Sequence, residues 1–582
     1  MSDPIKKVPA PSPVERAKSQ SNQLRGSIDR VLADETAEAF DKDDIQLLKF
    51  HGVYQQDDRD ERSRRRAAGQ GKAYSFMVRV GPPGGRLTAA QWLALDALAE
   101  RHGNGTLRLT TRQGVQFHGV EKENLRATIR EVQSALMTTF GACGDVPRNI
   151  LAPPAPFTSP AYRLLRELAE AMARELKPRT TAYHQIWLED ASADIAEPSA
   201  EEPFYGSNYL PRKFKIGLAL STDNSVDVFT QDLGFVGLVE QDGETVERFV
   251  VVAGGGLGMT HNKLETIARR GTALGVVPAS RVLETARAIV AIHRDFGDRS
   301  NRRHARLKYL LEDWGTEAFT RRLEERLGTE LAATPPDFGA ALLQQHHLGE
   351  HAQGDGRYFL GLAVLSGRIA DRPGANARTA LRRCAEVFPH ASFTLTPMQG
   401  LILGDLASED LPRLHELLAD HGVESRAPRP LRALSMACPA LPTCGLALAE
   451  SERVHDQMLR DLEAVALAER VEDRPIIIRM TGCPNGCARP YNADIGLVGR
   501  RPGRYHVYVG GNQRGDSLGE LFAADQPLEA VGELLRPLFA AWREGAADGE
   551  GFGDFFRRER SLEPRNVVHG SLVPLHREES TA

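Results

Sequence analysis

The alternation of apolar and polar residues becomes regular at Tyr74, where YSFMVRV predicts a strand and GPPGG a turn. A helix is predicted from about Ala89 to Arg101, followed by a strand in TLRLTT that leads into RQGVQFHGV. A second helix is predicted over Lys122 to Thr138. This β-α-β-β-α order is typical of ferredoxin-like units.

The same order of elements recurs in the second half of the chain. Its predicted members are the strand YFLGLAVL (Tyr358 to Leu365), a turn at Gly367, a helix near Asn376 to Val387, the strand segment SFTLTPMQGLILGDL and a helix over Leu411 to His421. The pattern L-T-x-x-Q-G is present in both copies, at 109–114 and 395–400. The sequence therefore predicts a duplicated module.

The segments that follow each copy also correspond. DLGFVG at 232–237 recurs as DIGLVG at 494–499, and VVAGGG at 251–256 resembles VYVGGN at 507–512. We therefore predict an α+β fold with internal duplication, in which two ferredoxin-like units and two larger α/β units surround a central cofactor site. Duplication favours a ligand at the junction between the halves, where both copies supply side chains.

Five regions are predicted along the chain. The first 40 residues are rich in Pro, Ser and charge, so we expect a flexible arm that becomes helical near Leu24 to Phe40 and contacts a partner or another copy. The predicted boundaries are 1–70 for the N-terminal arm, 71–150 for the first ferredoxin-like half-domain, 151–345 for the first α/β domain, 346–430 for the second ferredoxin-like half-domain and 431–570 for the second α/β domain.

Composition adds little beyond the class of protein. The chain has 582 residues, 41% of them hydrophobic and 26% charged, as in ordinary globular proteins with several domains. A net charge of −5 gives no general reason to expect nucleic-acid binding. The N-terminus lacks the apolar core of a signal peptide and no run of eighteen apolar residues occurs, so we expect a soluble, cytoplasmic protein with no membrane contact.

Four of the six cysteines form two pairs, Cys438 with Cys444 and Cys483 with Cys487. Thiolates are soft ligands that suit iron–sulfur clusters and zinc, and these C-x5-C and C-x3-C spacings differ from those of zinc ribbons and bacterial ferredoxins. An unusual iron–sulfur site is the leading interpretation and a structural zinc site the alternative. The two remaining cysteines stand alone and are interpreted as small buried side chains.

The two copies differ in charge. The first carries Arg108, Arg112 and His118 where the second has Thr394, Met398 and Gly404. In a strand, the two arginines would lie on one face, which could equally be a solvent face with weak surface ion pairs. The cationic contacts of one half and the thiolates of the other suit a polyanionic cofactor lying between them.

Several stretches of the chain are highly specific for one protein family. They are FHGVYQQDDRD, RLTTRQGVQFHGV, GACGDVPRNILAP, YLPRKFK, GGGLGMTHNK, TGCPNGC and the C-x5-C segment. Over about 21–556 the chain resembles the siroheme-containing sulfite and nitrite reductase family. The resemblance implies siroheme and a 4Fe–4S cluster as cofactors. It implies that Cys438, Cys444, Cys483 and Cys487 hold the cluster and that Cys487 also ligates the siroheme iron.

The resemblance, with the need of a buried polycarboxylate for cations and hydrogen-bond donors, also implies a set of site residues. The expected siroheme contacts are Arg108, Arg112, Gln116, His118, Arg212, Arg306, Lys308, Gln399, Asn485 and Cys487. The expected substrate contacts, which would bind an oxyanion and help to protonate its departing oxygens, are Arg79, Arg148, Lys213 and Lys215. Without the resemblance, the two lysines would be interpreted as part of a half-exposed edge strand.

The implied reaction is the six-electron reduction of sulfite to sulfide. Siroheme nitrite reductases tend to have Asn where this chain has Lys215, so sulfite is favoured and reduction of nitrite to ammonia is the alternative. A non-catalytic metal-binding scaffold is an alternative of another class. The electron donor is expected to be ferredoxin or an NADPH-dependent flavoprotein subunit, and matches to both kinds of enzyme leave the choice open.

Overall fold

The computed structural model describes residues 10–188 and 202–569. The N-terminal segment contains α1 (Pro13–Ser19), α2 (Ile28–Ala33), α3 (Lys42–Leu48), β1 (Val53–Asp57) and α4 (Arg62–Ala67). From Ser12 onward the segment lies against the body, because Ser12 N–H donates to the Arg299 carbonyl and the buried Lys18 ammonium donates to the Leu210 carbonyl. The prediction of a flexible arm is therefore wrong for these residues. The segment predicted to become helical near Leu24 to Phe40 does so only over α2.

The first ferredoxin-like unit follows the predicted order. It contains β2 (Tyr74–Val80), β3 (Arg86–Thr88), α5 (Ala89–His102), β4 (Leu107–Leu109), β5 (Val115–Val120) and α6 (Leu125–Ser134). Helix α5 begins where predicted because Thr88 and Gln91 form a reciprocal capping box. The second predicted helix ends four residues early, at Ser134, and Leu136 then adopts a positive φ of 58°.

The second ferredoxin-like unit repeats the arrangement. It contains β11 (Gly349–Ala352), β12 (Tyr358–Leu362), β13 (Arg368–Ile369), β14 (Asp371–Arg372), β15 (Ala375–Asn376), α12 (Ala377–Val387), β16 (Ser392–Leu395), β17 (Leu401–Leu406) and α13 (Asp410–Asp420). The two units also stack directly, with the rings of Trp92 and Phe393 5.1 Å apart between centroids.

The two ferredoxin-like units exchange their edge strands. The first sheet has the order β1-β2-β5-β4-β13, and the second has the order β11-β12-β17-β16-β3. Arg368 pairs with Arg108 in the first sheet, while Leu87 pairs with Phe393 in the second. Each copy therefore completes the sheet of the other, and β1 extends the first sheet upstream of the boundary predicted at residue 71.

The two larger units also correspond. The first contains α7 (Pro160–Glu175), α8 (Ala182–Trp187), β6 (Ile216–Leu220), β7 (Leu233–Val239), β8 (Val246–Ala253), β9 (Ile267–Arg269), β10 (Thr272–Pro278), α9 (Val282–Phe296), α10 (Leu307–Trp314) and α11 (Thr316–Leu327). The second contains α14 (Pro430–Ala433), β18 (Met436–Ala437), α15 (Glu452–Ala468), β19 (Ile478–Thr481), β20 (Ile495–Arg501), β21 (Arg504–Val509), β22 (Glu520–Pro527), α16 (Val531–Gly545), α17 (Phe552–Glu559) and β23 (Val567–His569).

Their sheets share one pattern, in which a parallel pair continues into antiparallel strands. The order is β10-β8-β7-β6 in the first unit and β18-β19-β20-β21-β22 in the second, where β18 adds a third parallel strand. The second unit has its own apolar core around Phe539 and Trp542, whereas one core joins the first unit to both ferredoxin-like units. The predicted duplicated α+β fold is confirmed.

Candidate cofactor and anion site

The four paired cysteines meet at one edge of a sheet. Cys438 directly follows β18 and Cys483 follows β19 by two residues, and these strands are parallel neighbours in register. Because carboxyl ends of parallel strands lie side by side, the two loops that carry Cys444 and Cys487 start from the same edge. Among the residues described, the four cysteines are thus brought together by the fold rather than by sequence proximity.

The four thiols influence one another electrostatically. Burial raises the pKa of Cys438, and the neighbouring Cys487, Cys483 and Cys444 raise it further. Burial and Cys487 raise the pKa of Cys483 to about 12. Deprotonating such a set requires a compensating cation, which a bound metal centre supplies.

Backbone and amide donors already point at two of these sulfurs. Gly482 N–H donates to Cys438 Sγ over 3.3 Å, and Asn485 Nδ2 donates to Cys483 Sγ over 3.5 Å. Within 10–188 and 202–569, no group of three or more His, Cys, Asp or Glu side chains is gathered so that it could hold a metal ion. Four mutually interacting thiols with hydrogen-bond donors aimed at their sulfurs fit an iron–sulfur cluster.

Cys487 differs from the other three cysteines. It is exposed, whereas Cys438 and Cys483 are buried and Cys444 is half-buried. The first copy contacts its loop, because Thr111 Oγ1 donates to the Cys487 carbonyl over 3.3 Å. The Cys487 thiol is therefore the one that faces outward at the junction of the two copies.

Arg108 and Arg112 do not share a strand face, because β4 ends at Leu109 and Arg112 lies in the turn that follows. Arg108 is bound to Glu452 and donates to the Ala437 carbonyl beside Cys438. Both arginines are buried, so the interpretation as solvent-exposed strand residues is wrong. The shared face was predicted from period-two alternation, which the turn interrupts.

The hydrogen bonds of the Arg112 guanidinium all go to residues of the first copy. Its guanidinium donates to Gln231 Oε1 over 2.7 Å, to the Asn149 carbonyl over 2.5 Å and to the Ile216 carbonyl over 3.0 Å. Burial and the nearby Arg148 lower its pKa to about 9. The Arg112 Nε has no hydrogen-bond partner among the described residues.

Arg148, Lys213 and Lys215 are brought together by two adjacent segments. Pro147 and Phe214 form a parallel bridge, with Arg148 N–H donating to the Phe214 carbonyl over 2.9 Å. The bridge leaves both lysines half-buried in a connection before β6, so the edge-strand interpretation is wrong. Burial and the neighbouring cations, foremost Arg212 for Lys213 and Arg112 for Lys215, lower both lysine pKa values well below the usual value.

Neither lysine forms a salt bridge within the described residues, and Asp232, the carboxylate that acts on Lys215, is already paired with Arg306. No described residue accepts a hydrogen bond from Lys213 Nζ or Lys215 Nζ. Arg212 is 4.0 Å from Asp145, which already receives two hydrogen bonds from Arg302. A cluster of cations without matched carboxylates fits a polyanionic ligand.

Arg79 and Gln116 face each other across β2 and β5. With its carboxamide oxygen turned toward Arg79, Gln116 accepts from Arg79 Nε over 3.2 Å. Arg79 Nη1 also donates to Cys143 Sγ over 2.9 Å and its guanidinium lies 5.7 Å from the Tyr54 ring centroid. Burial and Cys143 raise the pKa of Tyr54 to about 12. Cys143 is buried, as predicted, and also belongs to this group of interacting side chains.

Three of the predicted contacts are held by neighbouring backbone or carboxylate groups. Arg306 forms a buried ion pair with Asp232, and Lys308 donates to the carbonyls of Gly256 and Gly258 over 3.0 and 2.9 Å. Gln399 exchanges two hydrogen bonds with the backbone of Ala437. These contacts stabilise the loops around the site, which leaves fewer free donors for a ligand.

His118, unlike Arg306, Lys308 and Gln399, is buried without hydrogen-bond partners among the described residues. It is 3% exposed and neither ring nitrogen has a hydrogen-bond partner in the described part of the chain. Burial and the nearby Arg368 and Arg108 hold its pKa well below the usual value, so the ring is neutral. Unsatisfied buried donors are rare in folded proteins, and those of His118 and Arg112 fit a site that receives a polar ligand.

Sequence reasoning missed several residues that shape this site. Tyr54 and Cys143 contact Arg79, Asp145 joins Arg302 to Arg212, and Glu452 holds Arg108. Asp145 and Cys143 lie in GACGDVPRNILAP, a stretch that was singled out only as a whole. A cavity of about 660 Å³ borders Arg148 but none of the other predicted site residues.

Comparison with known families is consistent with this duplicated arrangement. The "Nitrite/Sulfite reductase ferredoxin-like half domain" matches twice, at 68–135 and 350–421. The "Nitrite and sulphite reductase 4Fe-4S domain" matches residues 169–331, in the copy that lacks the four paired cysteines.

Three individual proteins are similar over nearly the whole chain. The sulfite reductase [NADPH] hemoprotein beta-component of Myxococcus xanthus is 44% identical, covering 94% of this chain and 96% of the relative. The sulfite reductase [ferredoxin] of Synechococcus elongatus is 42% identical, covering 94% and 89%. The solved structure of the Mycobacterium tuberculosis NirA protein superposes with a TM-score of 0.75 at 25% identity, covering 95% and 98%. In 10–188 and 202–569, the helices are all too short or too polar to cross a membrane.

Proposed function

Because the chain belongs to the nitrite and sulfite reductase family, we propose that it is an assimilatory sulfite reductase that carries out the six-electron reduction of sulfite to sulfide. It is an oxidoreductase whose cofactors are siroheme and a 4Fe–4S cluster. When bound, the two groups would pass electrons from the external donor and provide the metal site at which the sulfur is reduced. The observation that carries the proposal is the junction of four interacting thiols with unpaired cations.

Cys438, Cys444, Cys483 and Cys487 would hold the cluster, and Cys487 would be the ligand shared with siroheme. The support is its position, since Cys487 is the exposed member of the set and lies against the first copy. Asn485 and Gly482 donate to the cysteine sulfurs, which stabilises thiolate charge. Asn485 therefore supports the cluster ligands, in addition to any contact with siroheme.

Arg79, Arg148, Lys213 and Lys215 would bind the substrate anion. Sulfite carries two negative charges when fully ionised, and the carboxylates that act on Arg148 and Lys215, Asp145 and Asp232, are already paired with Arg302 and Arg306. Because the lysine pKa values are lowered, Lys213 and Lys215 release protons more readily than ordinary lysines, which suits donation to a departing oxygen. The presence of Lys215 rather than Asn supports sulfite over nitrite.

His118 and Arg112 are the strongest candidates for siroheme contacts, since each has an unsatisfied buried nitrogen. Arg212 is the next candidate, being only weakly paired with Asp145. Gln116 would act through Arg79. Arg108, Arg306, Lys308 and Gln399 would act mainly by fixing the surrounding loops, because their polar groups are already bound.

A substitution of Cys487 tests the shared ligand. Cys487→Ser is expected to remove the siroheme absorption bands together with the cluster, because one thiolate serves both groups. The matched control is Cys384→Ser, a buried cysteine on α12 that takes no part in the four-thiol set. Purified Cys487→Ser protein that keeps both groups in full would refute the shared ligand, and colourless wild-type protein would refute the reductase itself.

We propose that electrons enter at the surface loop 441–446. Leu446, two residues after Cys444, is 68% exposed, and Arg59 donates to the Cys444 carbonyl over 3.1 Å. The arginine-rich helix α4 begins three residues after Arg59 and has no buried residue. An apolar tip beside exposed cations suits an acidic redox protein, either ferredoxin or a flavoprotein subunit.

Leu446→Asp tests this placement. The change is expected to slow turnover with a reduced protein donor and to leave turnover with a small chemical reductant unchanged. Leu136→Asp is the matched control, since Leu136 is 89% exposed and lies in the first ferredoxin-like unit. Running reduced ferredoxin and a flavoprotein with NADPH separately identifies the donor, and equal effects of both substitutions would contradict the entry point.

A further inference from the structure

Asp227 and Arg489 occupy equivalent positions in the two copies. Each stands five residues before the aspartate that begins the repeated D-x-G-x-V-G pattern. Each precedes a short 3-10 turn, Val228–Thr230 in the first copy and Pro490–Asn492 in the second. Both adopt a left-handed backbone, with φ of 50° and 59°, which is uncommon for residues other than glycine. The duplicated fold thus brings two symmetry-related positions together with opposite charges.

The two side chains form part of a buried ionic cluster. Arg489 Nε and Arg479 Nη1 lie 2.7 and 2.8 Å from Asp227 Oδ2. Asn492 Nδ2 donates to the other carboxylate oxygen over 3.2 Å, and the Gln344 side chain donates to it as well. The Asp227 and Arg479 side chains are fully buried and that of Arg489 is 6% exposed. Buried ion pairs are screened far less than exposed ones, so their attraction holds the partners close together.

The two arginines flank the Cys483–Cys487 loop. Arg479 is in β19, four residues before Cys483, and Arg489 follows Cys487 by two residues. Arg489 Nη2 also donates to the Pro397 carbonyl over 2.8 Å, which ties the same end to the second ferredoxin-like unit. One carboxylate from the first copy therefore holds both ends of the loop that carries two of the four thiols.

We propose that Asp227 is a positioning residue for Cys487, in that its carboxylate fixes both ends of the Cys483–Cys487 loop through Arg479 and Arg489. The inference rests on the proposed function for the role of Cys487, but the contacts that carry it are independent of any cofactor. Asp227 does not touch the thiol itself. Its effect on the cofactors is transmitted through the two arginines and the loop between them.

Removing the carboxylate charge leaves two buried arginines facing a neutral side chain. They repel each other and must move apart or rebind elsewhere, and both movements displace the ends of the loop. A displacement of about 1 Å in a reacting group can cost roughly 10²-fold in rate. Asp227→Asn is therefore expected to lower kcat by about 10²-fold at an unchanged KM for sulfite, because the substrate cations lie on other segments.

The experiment compares three purified holoproteins: wild type, Asp227→Asn and Asp96→Asn. Asp96 provides the matched control, because it is a buried aspartate 2.7 Å from Arg378 and joins α5 of one copy to α12 of the other. Iron and siroheme content are measured first. Visible absorption and electron paramagnetic resonance of the loaded fraction then report the environment of the two centres, and kcat and KM are measured with a chemical reductant.

Asp227→Asn is expected to change the absorption and resonance spectra of the loaded protein, while Asp96→Asn lowers thermal stability without changing either spectrum. Identical spectra and kcat in loaded wild type and Asp227→Asn would overturn the proposal. If Asp227→Asn does not fold, Arg489→Gln serves instead, since it removes the ion pair between Asp227 and one end of the loop while Asp227 keeps its pair with Arg479; unchanged spectra there would also overturn the proposal. Wild-type protein without these spectra would instead refute the proposed function.

Discussion

The buried carboxylate of Asp145 gives the sharpest prediction about the anion site. It is 2% exposed and lies between Cys143 and Arg148. Arg302 donates two hydrogen bonds to it, over 2.7 and 3.0 Å, and Lys18 Nζ lies 3.6 Å away. Asp145→Asn would remove the carboxylate with which Arg302 is paired, in the segment that positions Arg148, while Lys18 keeps its ion pair with Glu15.

The size of the effect follows from burial. Removing one partner of a buried ion pair costs about 3–5 kcal/mol, against about 0–1 kcal/mol at an exposed site. Asparagine keeps one acceptor oxygen, so we expect a loss near the lower bound, about 3 kcal/mol. Burial alone would raise the Asp145 pKa, but Arg302 and Lys18 lower it below the usual value. Its contribution is therefore present above the ordinary Asp pKa of about 4 and is lost as the pH falls through the lowered value.

Native-state hydrogen exchange measures the loss locally. Leu210 N–H donates to the Asp145 carbonyl over 3.0 Å and Phe214 N–H to the Val146 carbonyl over 3.2 Å, so both amides report opening of this segment. A loss of about 3 kcal/mol makes their exchange roughly 10²-fold faster at neutral pH. Because the readout is local, it does not require the chain to unfold in one step.

Asp525→Asn is the control, because Asp525 is paired with Arg501 and Arg504 at the surface, with its side chain 36% exposed. It should change exchange at Leu210 and Phe214 by less than about tenfold. Equal exchange in Asp145→Asn and wild type would refute the reasoning that the carboxylate holds this segment together.

Three further predictions concern the same site. Lys215→Asn should lower the ratio of kcat/KM for sulfite to that for nitrite by at least about tenfold, since a doubly charged anion loses a cation; an unchanged ratio would contradict its role. Sulfite binding should take up protons, because an anion raises the lowered pKa values of Lys213 and Lys215; calorimetry in buffers of different ionisation enthalpy checks this, and no buffer dependence would count against it. Glu452→Gln should speed the loss of iron to a chelator, because Glu452 holds Arg108 against the Ala437 carbonyl, whereas the exposed Glu416→Gln should not.

Much of the fold could be predicted because alternation and repeated patterns depend on local sequence. YSFMVRV forms β2 over the predicted residues, and both L-T-x-x-Q-G turns place Gln113 and Gln399 at positive φ between antiparallel strands. The exchange of β3 and β13 was not predictable, because strands of three and two residues carry no periodicity of their own. Their pairing is decided by the packing of one copy on the other.

The candidate site shows the same division between local pattern and tertiary structure. The four cysteines could be singled out by spacing, but the edge at which they meet depends on the parallel pairing of β18 with β19. Composition predicted a flexible N-terminal arm, yet Lys18 is fully buried and anchors it near Asp145. The buried contacts of a single residue can fix a polar segment against the body of the protein. An average over the composition of the segment does not reveal such a contact.

The most direct test of the central claim is steady-state turnover of sulfite and nitrite by one preparation of wild-type protein with a chemical electron donor. The proposed function predicts stoichiometric formation of sulfide from sulfite and a higher kcat/KM for sulfite than for nitrite. A much higher kcat/KM for nitrite, or no sulfide from protein loaded with both cofactors, would contradict it.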